Sequence, residues 1–173
     1  YRFRAEMQPE DPRMFRLMIL IALAAALAGC RSTYQNADPT LLVGVVQRSQ
    51  FTDAFLHAYP DEPIGEPFIE MIRQARPGVR VLVFMGTWCS DSKRDVPRFL
   101  RIADASGMTP ADFELYGVDR KKKSPDGLEE KYAIERVPTF IFLRGGKEIG
   151  RIVEMPRTTL EGDILAILAA RGS

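Results

Sequence analysis

Trp88-Cys89-Ser90-Asp91-Ser92 is the segment of this 173-residue chain best suited to covalent chemistry. Cys89 stands between an apolar run, Val81 to Met85, and a stretch with helical periodicity. A cysteine at that position sits at a helix N-terminus, where free N–H groups and the helix dipole favour negative charge. The thiolate is the nucleophile in disulfide exchange, so Cys89 is a candidate reactive thiol. Ser92 is placed to hydrogen-bond and stabilise that thiolate, Lys93 and Arg94 to add positive potential, and Asp91 to oppose it. The chain holds one other cysteine, Cys30, and one histidine, His57. That set cannot complete a four-ligand zinc site of the Cys/His kind, and it allows at most one internal disulfide. No metal and no organic cofactor is expected. His57 falls in a separate predicted helix, and nothing in the sequence brings it to Cys89.

The elements that must position Cys89 follow from patterning. The continuous apolar run Val79 to Met85 predicts a strand covered on both faces, and a helix is expected from Ser90 to Ala105. Upstream, Ser49 to Ala58 and Ile64 to Ala75 read as helices. Ser49 caps the first, and Phe68, Ile69, Ile72 and Ala75 form the inward face of the second. Downstream, a strand is expected over Phe113 to Val118, a polar loop with Lys121-Lys122-Lys123, and a short helix over Leu128 to Ala133. Strands over Val137 to Leu143 and Ile149 to Val153 flank a Gly145-Gly146 turn, which predicts a hairpin. A last helix, capped by Thr158 or Thr159, runs to Ala170. Strand–helix alternation calls for parallel pairing, with an antiparallel edge from the hairpin. Phe84, Phe113, Phe140 and Phe142 belong to the core. The expected fold is a three-layer α/β/α sandwich around a mixed sheet.

The first thirty residues read differently. Leu17 to Ala28 is an unbroken apolar run preceded by Arg13 and Arg16 and followed by Gly29-Cys30. A membrane-spanning helix needs about 20 apolar residues, and this run is shorter. A charged start, a short apolar centre and small residues at the end are the marks of an export signal, and Met14 would open a compact version of it. Leu27-Ala28-Gly29-Cys30 resembles the bacterial lipobox. That resemblance implies cleavage before Cys30 and lipid attachment to Cys30, with Arg31 favouring the outer membrane. The organisation is then a signal peptide over residues 1–29, a tether over 30–44, and one domain over 45–173 that starts with a helical extension. The expected location is the bacterial cell envelope, lipid-anchored and facing the periplasm or the cell exterior. Residues 1–29 carry the chain's single net positive charge, so the remainder is neutral. That balance gives no electrostatic reason to propose nucleic acid as a partner.

Around Cys89 the sequence resembles the thioredoxin superfamily. Trp88-Cys89 ends the first long strand, Pro97 matches the proline of the family's active-site helix, and Val137-Pro138-Thr139 matches its Val-Pro-Thr. The closing hairpin also matches, so the resemblance covers roughly Val79 to Ala170. It implies a cis bond at Pro138, a substrate groove formed by Trp88, Val137, Pro138 and Thr139, and an extended substrate paired along the Val137 backbone. Two departures stand out. Ser92 occupies the place of the family's second cysteine, and Val83 that of its buried acid. The reading is thiol–disulfide exchange through Cys89 and Ser92 as a monothiol site, with an external thiol resolving the mixed disulfide. Its partners would be protein or small-molecule thiols and disulfides. The alternative is a non-catalytic module that binds extended polypeptides. An iron–sulfur or glutathione-binding role ranks behind both.

Overall fold

The computed structural model describes residues 38–170. The expected signal segment, the lipid site Cys30 and the start of the tether lie outside the described residues.

The elements in chain order are β1 (Gly44–Val46), a 3-10 turn (Arg48–Gln50), α1 (Asp53–Leu56), α2 (Glu66–Ala75), β2 (Val79–Met85), α3 (Ser90–Ala105), β3 (Phe113–Gly117), α4 (Leu128–Lys131), β4 (Thr139–Arg144), β5 (Lys147–Val153) and α5 (Leu160–Ala169). Five strands form one mixed sheet in the order β1-β3-β2-β4-β5. β2 and β3 are parallel, joined by α3 as the crossover, and the other pairings are antiparallel. The fold is the thioredoxin-like α/β arrangement expected from the sequence.

β2 is central, which is why its sequence is apolar without alternation. Val81, Val83 and Met85 enter a core with Phe55 of α1, Ile69 and Ile72 of α2, Phe99 of α3 and Ile164 of α5. Leu82 and Phe84 enter a second core with Tyr116, Ile134, Val137 and Ile141. Each fully buried side chain of this kind contributes about 1.5–3 kcal/mol. The layer over the second face is thin. It consists of the single turn α4, where a helix to Ala133 was expected, and the chain on either side of it. Ala133 has φ 51°, a left-handed conformation that ends the helical turn.

The N-terminal part departs most from expectation. The predicted helix over Ser49 to Ala58 is a 3-10 turn followed by one turn of α-helix, capped by Thr52, whose Oγ1 accepts from Phe55 N–H, rather than by Ser49. The segment read as tether runs into β1 at Gly44, so the folded domain starts ahead of residue 45. β1 is only three residues long, too short for a period to show in sequence. Phe68, expected to face inward on α2, is 39% exposed, because Ile69 and Ile72 set the buried stripe and Phe68 lies beside it. The hairpin turn is as expected: Gly145 and Gly146 have φ 58° and 79°, the left-handed pair that a tight two-residue turn requires. Thr159 caps α5 by accepting from Gly162 N–H at 3.1 Å.

Candidate active site

The turn from β2 into α3 is built on Gly86. A side chain there would meet the indole of Trp88, since a Cβ would lie 2.6 Å from its ring. Glycine therefore lets Trp88 fold back over the main chain. The Trp88 Nε1–H donates to Val118 O at 3.1 Å, and Val118 N–H donates to Met85 O at 2.9 Å. These bonds fasten the turn to the end of β3. Cys89 N–H closes the turn onto Gly86 O at 2.9 Å.

Cys89 is the N-cap of the 16-residue α3, with extended backbone at φ −88° and ψ 128°. The first N–H groups of a helix lack intrahelical partners, so the half-buried sulfur lies at the positive end of the helix dipole. The Cys89 thiol donates to the carbonyl oxygen of Val137 at 3.2 Å. The Val137–Pro138 peptide bond is cis. Val137 N–H has no hydrogen-bond partner among the described residues.

The structure thus brings Trp88, Cys89, Val137 and Pro138 to one place. It treats Ser92 and Thr139 differently from expectation. Ser92 is fully buried, and its Oγ accepts from Gly86 N–H at 3.2 Å. The expected hydrogen bond to the Cys89 sulfur is not formed. Ser92 instead satisfies a buried donor of the turn that carries Cys89. Thr139 is also buried, and its hydroxyl donates to Arg136 O at 2.7 Å, so it braces the loop around Pro138 rather than lining a groove.

Charge around the site is also redistributed. Arg94 does not project free positive potential. It bonds Asp95 through two nitrogens at 2.8 Å and Asp91 at 2.7 Å, and the Asp95 hydrogen bond is the main reason its guanidinium is held more firmly protonated than usual. The Lys93 ammonium forms no salt bridge or hydrogen bond with a described residue. Val83 is fully buried between Leu115 and Phe140, so the family's acid position is apolar core here. His57 is an exposed residue at the end of α1. In the lysine run, Lys121 and Lys123 backbone N–H groups donate to Asp119 Oδ1 at 2.8 Å, and the Lys123 ammonium pairs with Glu130.

Two features were missed in the sequence reading. Arg120 lies over the Trp88 ring at 5.8 Å from the guanidinium carbon to the centroid. Arg136 and Glu154 form a 2.7 Å ion pair beside Pro138, where Glu154 N–H also donates to Pro138 O at 2.8 Å. Glu154 has φ 57°, so this bridge holds a non-glycine residue in the left-handed region. An opposite charge 18 residues away leaves no local pattern in a sequence.

A groove of about 400 Å³ runs along α3 past Arg94, Arg98 and Arg101. All three guanidiniums are engaged by carboxylates: Asp91 and Asp95, Glu161, and Asp61 respectively. A second cleft, of about 360 Å³, lies beside Trp88.

Residues 48–165 match the family model described as thioredoxin. A thioredoxin-like protein, R548, of Acanthamoeba polyphaga mimivirus is 28% identical over 88 residues, which are 51% of this chain and 61% of that protein. Thioredoxin H2-1 of Oryza sativa subsp. japonica is 30% identical over 93 residues, 54% of this chain and 63% of that one. This chain spans less than two thirds of the length of either relative. Among solved structures, Malassezia sympodialis thioredoxin is 30% identical with a TM-score of 0.40, covering 53% of this chain and 79% of its own.

Proposed function

The chain belongs to the thioredoxin family, and on that premise we propose that it carries out thiol–disulfide exchange through Cys89 alone. One observation carries the reading: the Cys89 sulfur sits at the start of α3, against the carbonyl of the residue that precedes cis-Pro138. An extended substrate segment laid along Val137 would find its free N–H as a donor and the sulfur beside it. The Cys89 thiolate attacks one sulfur of a substrate disulfide, forms a mixed disulfide and expels the other sulfur as thiolate. Cys89 is the sole cysteine among the described residues, so an external thiolate must break that mixed disulfide. Substrates would be protein or small-molecule disulfides. We further propose that the chain is exported and held in the bacterial cell envelope through lipid on Cys30, a reading supported by the Leu27-Ala28-Gly29-Cys30 motif and testable by metabolic labelling with a fatty acid.

The exchange reading is tested in a Cys30→Ser form of the full chain. Its rate of iodoacetamide alkylation at pH 7 is compared folded and unfolded in urea. A helix-start nucleophile should react roughly tenfold faster folded. Equal or slower reaction in the folded state would leave a polypeptide-binding module without exchange chemistry.

A further inference from the structure

The cleft beside Trp88 is built from two parts of the chain that meet only in the fold. Its apolar wall is the stacked pair Phe51 and Phe55, with centroids 4.6 Å apart, together with the Trp88 indole. Its polar lining is Thr40, Gln50, Thr52 and Thr87, with Lys93 and Arg120 as its two charged groups. The Thr87 hydroxyl oxygen is buried and has no hydrogen-bond partner among the described residues. Such a group ordinarily calls for a missing partner. The Lys93 ammonium, as described above, is likewise uncompensated. Arg120 shares its charge with Asp38 and lies over Trp88. An aromatic wall, an unmet hydroxyl and uncompensated positive charge form a receptor for a small molecule with an apolar body and a carboxylate. The volume fits, since ligand pockets begin at about 300 Å³.

We propose that this cleft holds a low-molecular-weight thiol bearing a carboxylate, and that this molecule resolves the mixed disulfide on Cys89. The inference rests on the exchange reading above and names its reductant. Trp88, one residue before Cys89, and Lys93, four after it, both line the cleft, which places it next to the turn that carries the reacting sulfur. The thiolate of the bound molecule attacks the Cys89 sulfur of the mixed disulfide and expels the substrate thiolate. A second thiol then attacks the small-molecule sulfur and restores the Cys89 thiolate. In sum, two small thiols become one small disulfide, and the substrate disulfide becomes two thiols. A contact with Lys93 would supply the discrimination between charged and neutral thiols.

The test uses the full chain with Cys30→Ser, loaded at Cys89 with thionitrobenzoate. Release of thionitrobenzoate is followed with glutathione, an anionic thiol, and with 2-mercaptoethanol, a neutral one. The expected result is a rate that saturates with glutathione and stays linear with 2-mercaptoethanol. Lys93→Gln should lower the glutathione-to-mercaptoethanol rate ratio by roughly fivefold, the value of about 1 kcal/mol for an exposed ion pair. Linear rates for both thiols, with a ratio that Lys93→Gln leaves unchanged, would overturn the cleft as the reductant's site while leaving the exchange chemistry standing. Failure of either thiol to release thionitrobenzoate would instead end the exchange reading. S-methylglutathione, which has no free thiol, then decides the cleft by itself. Quenching of the emission of Trp88, the only tryptophan, retains the site if Lys93→Gln abolishes it, and unaltered emission removes it.

Discussion

The Cys89 thiol and the Val137 carbonyl oxygen, 48 residues apart in sequence, meet at 3.2 Å. The contact joins the start of α3 to the loop that leads into β4. It exists because β2 and β4 are antiparallel neighbours, with Phe84 opposite Thr139. Residues just beyond Phe84 in one strand and just before Thr139 in the other must then lie at the same edge of the sheet. The consequence is that the Cys89 sulfur and the Val137 backbone are held by the same pairing.

Ser92 lies three residues after Cys89 on one helical turn, a separation at which side chains are neighbours. Two cysteines there fall within the Cα spacing that a disulfide accepts, about 4.4–6.8 Å. Ser92→Cys should therefore form a reversible disulfide with Cys89 and acquire turnover in insulin reduction with dithiothreitol. Ser92→Ala, which strips the acceptor from buried Gly86 N–H, should lower stability by about 1–3 kcal/mol. Thiol titration, the insulin assay and urea unfolding check the pair, and a Ser92→Cys protein with no turnover would show that the site lacks more than a second sulfur.

Gly86→Ala places a methyl group 2.6 Å from the Trp88 ring. The ring must swing out, breaking the bond from Nε1–H to Val118 O. A stability loss of about 1–3 kcal/mol is expected, with a red shift of tryptophan emission. Unchanged emission would mean that the turn yields instead of the indole.

Gly117→Ala strikes backbone rather than a side chain. Its Cβ would overlap the carbonyl of Leu42, which crosses directly over Gly117. A backbone carbonyl cannot rotate away as a side chain can. The expected result is release of the segment ahead of β1, seen as protease cleavage between residues 38 and 46 under conditions where the wild-type chain resists.

The buried pair Arg98–Glu161 ties α3 to α5 through two hydrogen bonds, at 2.8 and 3.1 Å. Burial pushes the Glu161 carboxyl up, but the Arg98 guanidinium and further hydrogen bonds outweigh it and hold it below its ordinary value. A lowered folded-state value means that the contribution is complete above the unfolded carboxylate value, about 4.3, and is lost as pH falls through the folded one. Glu161→Gln should cost about 1–3 kcal/mol at pH 7 and flatten the loss of stability between pH 5 and pH 3. Urea unfolding across that range measures both effects. Parallel curves for the two proteins would refute the assignment.

The sequence by itself determined what neighbours along the chain can fix. The span of β2 follows from continuous apolar residues, that of α3 from its periodicity after Cys89, the hairpin from two glycines, and the place of Cys89 at a helix start from the junction of the two patterns. These are effects of local sterics, side-chain period and capping, and all of them act within a few residues. The resemblance carried in Pro97 and Val137-Pro138-Thr139 extended that reading to the fold. Tertiary structure decided the rest. β1 is held by pairing with β3, since three residues cannot declare a strand on their own. Ser92 turns to Gly86 N–H because that buried donor needs an acceptor, while the half-buried Cys89 sulfur already has Val137 O as a partner. Arg120 reaches Trp88, and Phe51 and Phe55 wall its cleft, because sheet order brings distant segments to one edge. Partners of that kind are chosen by packing in three dimensions, and the one-dimensional pattern holds no trace of the choice.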